Sequence, residues 1–205
     1  IKLLMSLLDH LESEAINRGL LDSGALLDAG RVFSLVRDMP YQRASDRRPK
    51  KTIAEWRGTC SGKHYLLQKL FEELGLPSKL IACTSITPVD PDEVEPAMQQ
   101  LYQAANCRFV DVHNYLLVRV PDGSQMVVDA TWPLSTKKFG MVVNEDFILG
   151  QDQELATKPV ETWVVPPGDD AQEFKDQLLK EHFTPAELQF REVVIEELSK
   201  STQRK

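Results

Sequence analysis

Glu55-Trp56-Arg57-Gly58-Thr59-Cys60-Ser61-Gly62-Lys63-His64, followed by Tyr65-Leu66-Leu67-Gln68-Lys69-Leu70-Phe71-Glu72-Glu73-Leu74, is the stretch on which the reading of this chain turns. Its first half is turn-like, with glycines on both sides of one cysteine. Its second half places apolar residues at 66, 67, 70, 71 and 74, a single stripe on a helix. The spacing puts Cys60 in the first turn of a buried helix. Unpaired backbone N–H groups and the positive end of the helix dipole meet there. Both favour a thiolate, which is the nucleophilic form of cysteine. The competing reading is a small residue at a tight helix start, where Ser or Ala would serve equally well.

Upstream, residues 1–18 read as an amphipathic helix, with Leu3, Leu4, Leu7, Leu8, Leu11 and Ala15 on one side and Gly19 ending it. Residues 23–37 suggest a second helix through Ala25, Leu26, Val32, Phe33, Leu35 and Val36, broken at Asp38-Met39-Pro40. Residues 40–51 then carry Arg43, Arg47, Arg48, Lys50 and Lys51 against one acid, Asp46. This basic concentration leads into Cys60. It reads either as a solvated loop or as a lip that attracts a carboxylate- or phosphate-bearing substrate.

Downstream, Gly75-Leu76-Pro77 stops the cysteine helix. Residues 79–84 read as a buried strand that includes Cys83, residues 88–92 as a turn, and residues 93–105 as a helix. Two strands follow, 110–120 and 124–130, joined by Pro121-Asp122-Gly123. Residues 131–158 give weak local signals. Residues 160–165 form a short strand, and helices are expected at about 170–182 and 185–200. The second begins at Thr184-Pro185, cap and first position.

The 205 residues are enough for one domain with an ample core, and no internal repeat is visible. A net charge of −7 argues against general nucleic-acid binding, which needs a basic face. No apolar run approaches the roughly 18 residues of a membrane span, and no signal peptide is visible, although a leader could precede Ile1. Three cysteines, at 60, 83 and 107, make an odd count without metal-type pairing, which points to a reducing compartment, the cytoplasm, and to no metal or cofactor.

The hairpin supplies the rest of a site. If its loop is the three residues 121–123, with Gly123 left-handed, paired residues sum to 244. Tyr115 then faces Asp129, and His113 and Asp129 are diagonal neighbours on one face. A two-residue loop would put them on opposite faces. Cys60, His113 and Asp129 then read as a thiol triad. His113 takes the proton from Cys60, and Asp129 holds the imidazole and stabilises its charged form. The Cys60 N–H is the first candidate oxyanion donor, followed by Gln42 or Tyr41 if the 40–51 segment folds back, then the Trp56 indole. His64, four residues after Cys60, is a candidate second polar group on the same helix face, and Arg43 a candidate substrate contact.

Arg57-Gly58-Thr59-Cys60-Ser61-Gly62-Lys63-His64, Asp111-Val112-His113-Asn114-Tyr115 and Val127-Val128-Asp129-Ala130-Thr131-Trp132 together resemble the core of the transglutaminase-like superfamily, part of the papain-like cysteine fold. They also resemble an uncharacterised bacterial branch with a similar Gly-Thr-Cys-Ser and Lys-His nucleophile segment. The resemblance covers roughly residues 55–133. It implies an α+β fold in which the cysteine helix packs on an antiparallel sheet carrying His113 and Asp129. On it, the chain is a single transglutaminase-like domain with its catalytic core at about 52–166 and helical flanks at about 1–37 and 170–200. The implied chemistry is metal-free acyl transfer through a thioester, in an amidase, peptidase or acyltransferase acting on a small-molecule or peptide amide or ester. The alternative is a papain-like binding or scaffold module without activity.

Overall fold

The computed structural model describes residues 5–202. It is a mixed α+β structure with a four-stranded antiparallel sheet in the order β3-β2-β1-β4. The strands are β1 (Ser78–Pro88), β2 (Arg108–Arg119), β3 (Gln125–Val128) and β4 (Thr162–Val164). Two compact units are present. One comprises Ile1–Leu80 and Tyr115–Ala156, the other Ile81–Asn114 and Thr157–Lys205.

In the first unit, helices α1 (Leu7–Asn17), α2 (Ala29–Arg37) and α3 (Pro49–Glu55) surround α4 (Cys60–Glu73). Ser6 and Asp9 form a reciprocal capping box at the start of α1, and Glu73 at the end of α4 accepts the N–H groups of Leu7 and Leu8. Helix α4 buries Leu66, Leu67, Leu70 and Phe71, as the stripe predicts. Phe147 joins the helices from a distant loop, its ring 5.5 Å from both Phe33 and Phe71.

The hairpin between β2 and β3 has the three-residue loop. Gly123 is left-handed at φ 90°, and Leu116 pairs with Val128, Leu117 with Val127, Val118 with Met126 and Arg119 with Gln125. Every pair has the expected register, so Asp129 is the residue opposite Tyr115. Strand β3 ends at Val128, two residues short of the expected 130, so Asp129 is not on the strand but begins the segment that leaves the sheet. The backbone of β3 meets a loop instead of another strand. Gln153 N–H donates to Val127 O, and Val127 N–H donates to the Asp152 carboxylate.

In the second unit, β1 pairs with β4 through Ile81–Val164, Ala82–Trp163 and Cys83–Thr162. Helix α5 (Gln99–Ala104) and α7 (Pro185–Ser201) bury Tyr102, Ala105 and Phe190 together, and α6 (Ala171–His182) precedes α7. Thr184 and Glu187 cap α7 reciprocally, and Glu187 also accepts from Arg108 and Asn106. Cys83 is fully buried, whereas Cys107 is exposed; both are free thiols. No helix among the described residues is long and apolar enough to cross a membrane.

Three element expectations need correction. The second helix starts at Ala29, not at 23. Asp28 caps it by accepting the Arg31 N–H, and Leu26 is 79% exposed. The basic segment is not all loop, because Pro49 starts α3 from the first helical position. Residues 93–105 are not one helix: two 3-10 turns, each opened by a proline (Pro91–Glu93 and Pro96–Met98), leave only α5. Leu3 and Leu4 of the first helix lie outside the described residues.

Candidate functional site

Cys60 is the first residue of α4 and is 3% exposed. The preceding residue, Thr59, occupies the cap position without a side-chain capping bond, and the first turn holds no acid. The helix's own first turn therefore supplies no carboxylate to offset the positive end of its dipole at Cys60. The Cys60 Sγ has the Ser61 hydroxyl at 3.8 Å.

The approach to Cys60 is built from a sharp turn. Trp56 ends α3 with a left-handed backbone, φ 50° and ψ 46°, which is uncommon for a bulky residue. Gly58 follows, and its N–H donates to Pro40 O at 3.2 Å. A Cβ at position 58 would lie 3.1 Å from the Lys63 Cγ and 3.3 Å from the Lys63 N, so a larger residue there would press on the lysine stem. The bond to Pro40 means that the 40–51 segment does fold back onto the cysteine turn. Glu55 reinforces this by accepting the Ser45 N–H at 3.0 Å and the Ser45 hydroxyl, while pairing with Arg57 at 2.6 Å. The hydrogen bonds from Ser45, then those from Arg57, hold the Glu55 carboxyl down at about 2.

Tyr41 is buried with its ring 4.3 Å from that of Trp132, three residues beyond Asp129. Gln42 and Arg43 follow it, both half-buried. Trp56 carries the Arg18 guanidinium 5.3 Å from its ring and lines a surface groove with Leu20, Leu35 and Pro40. Within the basic segment Arg48 is neutralised by Asp46 at 2.5 Å, leaving Lys50 and Lys51 exposed on α3.

Asp129 is 2% exposed, and both of its oxygens accept backbone N–H groups: Oδ1 from Thr131 at 3.0 Å, Oδ2 from Ala156 at 2.8 Å. Its own N–H donates to Gln153 and its carbonyl accepts from Asn144. Two of these bonds hold the carboxylate and two hold the backbone of the same residue. The Thr131 hydroxyl nearby is buried without a partner among the described residues.

Two side chains of α4 tie the cysteine turn to the Asp129 segment. His64 is fully buried. Its Nδ1 lies 2.7 Å from Cys60 O, and its Nε2 lies 2.9 Å from Ala130 N. A carbonyl can only accept and an amide N–H can only donate, so His64 is the neutral tautomer protonated on Nδ1. The Asp129 Oδ1 at 3.6 Å from Nε2 therefore faces a lone pair and does not form an ion pair. His64 bridges the Cys60 carbonyl and the Ala130 N–H. His64→Ala should lower stability by about 2–4 kcal/mol, from a cavity plus a buried Ala130 N–H without an acceptor. Thermal unfolding checks it, and a loss below about 1 kcal/mol would mean that the bridge carries little.

Lys63, also fully buried, donates from Nζ to Arg37 O at 2.7 Å and to Thr131 O at 3.0 Å. Burial drives its pKa down from 10.5 to about 7, against the attraction of Asp38, Asp129 and Cys60. Sequence reasoning missed this residue, since lysine in an amphipathic stretch reads as surface.

Comparison with family models, curated proteins and solved structures returned no match. The functional reading therefore rests on the residues alone.

His113 lies in β2, 4% exposed, and strand alternation gives it the same face as Asp111 and Tyr115. In its own unit it neighbours a buried ionic cluster. Asp111 Oδ1 accepts from Arg191 at 2.6 and 2.7 Å, and Lys175 lies at 3.5 Å. Burial acts to raise the Asp111 pKa, but Arg191, Lys175 and, more weakly, His113 outweigh it and hold the carboxyl at about 2. Among the described residues no group of three or more His, Cys, Asp or Glu side chains is arranged to hold a metal ion.

Proposed function

We propose that this chain is a cysteine-dependent amide or ester hydrolase or acyltransferase, a transglutaminase-like enzyme of papain-like fold. Cys60 attacks the carbonyl carbon of the substrate, His113 takes the thiol proton and returns it to the leaving group, and Asp129 stabilises the imidazolium. The resulting thioester is resolved by water or an amine. The observation that carries this reading is the start of α4. A cysteine occupies the first helical position with no acid in that turn, and His64 and Lys63 bind the same turn to the segment holding Asp129. The β2–β3 register supports the other two roles, since Asp129 follows the last pair opposite Tyr115 and His113 shares the face of Tyr115.

The Cys60 N–H is the first oxyanion donor in this reading. The folding-back of residue 40 onto Gly58 favours Tyr41 or Gln42 as the second over Trp56, whose ring is engaged with Arg18. The substrate is a small-molecule or peptide amide or ester, and the exposed Lys50 and Lys51 favour one with an anionic group. Three free thiols suit the cytoplasm. The 3% exposure of Cys60 favours the second reading, a papain-like binding module without turnover.

The pH dependence of Cys60 alkylation by iodoacetamide, followed by mass spectrometry in wild type and His113→Ala, separates the two. The enzyme reading expects a reactive plateau extending well below the free-thiol value of about 8.5, lost in the variant. A rate that rises only near the free-thiol value in both proteins would sink it.

A further inference from the structure

Lys63 is the one fully buried cation on the cysteine helix, and the proposed chemistry gives it no role. It lies three residues after Cys60, on the same side of α4. Its two acceptors come from opposite ends of the unit's sequence: Arg37 O at the end of α2 and Thr131 O two residues beyond Asp129. The lysine thus clamps the nucleophile helix between α2 and the segment of the orienting carboxylate. Gly58, with no Cβ, leaves room beside its stem.

The hydrogen-bond count fits an uncharged amine. An uncharged amine has two N–H groups, and two carbonyls receive them. An ammonium has three, and no third acceptor reaches Nζ among the described residues. The charged groups facing it are Asp38 and Arg37 at the end of α2, Asp129 beyond β3, and Cys60 on its own helix. Arg37 and Asp38 are already paired with one another at 2.7 Å, so α2 offers no net charge to hold an extra proton.

We propose that Lys63 is a positioning residue for the Cys60 nucleophile, holding its helix turn as an uncharged amine and tuning the thiol when it gains a proton. This rests on Cys60 being the nucleophile. As the pH falls through neutrality the amine takes up a proton, and a positive charge appears one helical turn from the sulfur. That charge favours the thiolate where a free thiol would be protonated. Above neutrality the amine is neutral and only its clamping role remains. The lowered lysine pKa agrees with the hydrogen-bond count.

The test compares Cys60 alkylation in wild type and Lys63→Met, with each cysteine resolved by mass spectrometry. The variant's rate relative to wild type should be about tenfold lower near pH 6 than near pH 9, where only the clamp is missing. A residue that is merely structural would shift both rates together. A variant profile parallel to wild type across this range overturns the inference and leaves the proposed function standing. If wild-type Cys60 itself behaves as a free thiol, the proposed function falls, and the tuning role falls with it. Should Lys63→Met fail to fold, wild-type protein carrying carbon-13 at the lysine ε positions gives a direct reading by NMR. A buried lysine signal titrating near neutrality supports the inference, and titration of every lysine near the ordinary value of about 10.4 overturns it.

Discussion

Replacing Asp111 with alanine should lower the unfolding free energy by about 3–5 kcal/mol, measured as a shift of the urea midpoint at neutral pH. Asp111 is 7% exposed and binds Arg191 through two guanidinium nitrogens, with Lys175 beside it. Alanine would remove the carboxylate facing both buried cations, while Glu192 stays on the outer nitrogen of Arg191. Asp111→Asn should cost less, because its amide oxygen still accepts from Arg191 and from the Val112 N–H. The acid limb gives a second readout. The folded carboxyl titrates at about 2, below its ordinary 3.8, so its stabilisation is present above that ordinary value and disappears as the pH falls toward 2. The asparagine variant should lose this part of the acid dependence. An alanine variant within about 1 kcal/mol of wild type would show that the cluster is not a buried ion pair in solution.

The second large effect belongs to Lys63, has the same pH direction and falls in a higher window. Its folded pKa of about 7 lies below the 10.5 of the free side chain. Between these values the unfolded chain binds a proton that the folded chain lacks. Stability therefore rises with pH across this window, by about 1.4 kcal/mol per unit at most from this group. Below it both states are protonated and the penalty of burying the charge is complete. Lys63→Met should flatten the rise between about pH 7.5 and 10. Its absolute stability is a poorer measure, since the change also leaves Arg37 O and Thr131 O without their donor. Stability curves of the two proteins running parallel through that window would contradict the assignment.

These groups mark the boundary of what the amino-acid order makes legible. Local signals are strong where one residue type decides the backbone. Gly123 sets a three-residue turn, and with it the whole register from Leu116–Val128 to Arg119–Gln125. Thr184 and Pro185 start α7, and the 66–67–70–71 stripe sets the buried face of α4, which begins at Cys60. Helix α3 is obscured because its seven residues sit among charges and give no readable apolar period. The prolines at 91 and 96 break a segment whose composition otherwise suits one helix.

Within the candidate site, the chemistry-bearing types at Cys60, His113 and Asp129 are visible from order and spacing. Their supports are not. His64 reaches Ala130, and Lys63 reaches Arg37 and Thr131. Partners so far away in the chain leave no trace in a local window. A buried lysine in particular contradicts the ordinary preference of its type.

The unit that holds α4 is assembled from two stretches of chain, separated by residues belonging to the other unit. During synthesis, the cysteine helix is made well before Ala130 and Thr131, which receive His64 and Lys63, and before Ala156, which completes the hydrogen bonds of Asp129. A nascent chain halted anywhere short of residue 156 would carry the Cys60 thiol in an unfinished setting, with Lys63 still hydrated and charged. The thiol thus acquires its final surroundings late, so that stalled or prematurely terminated translation products are the form most exposed to stray alkylation and oxidation.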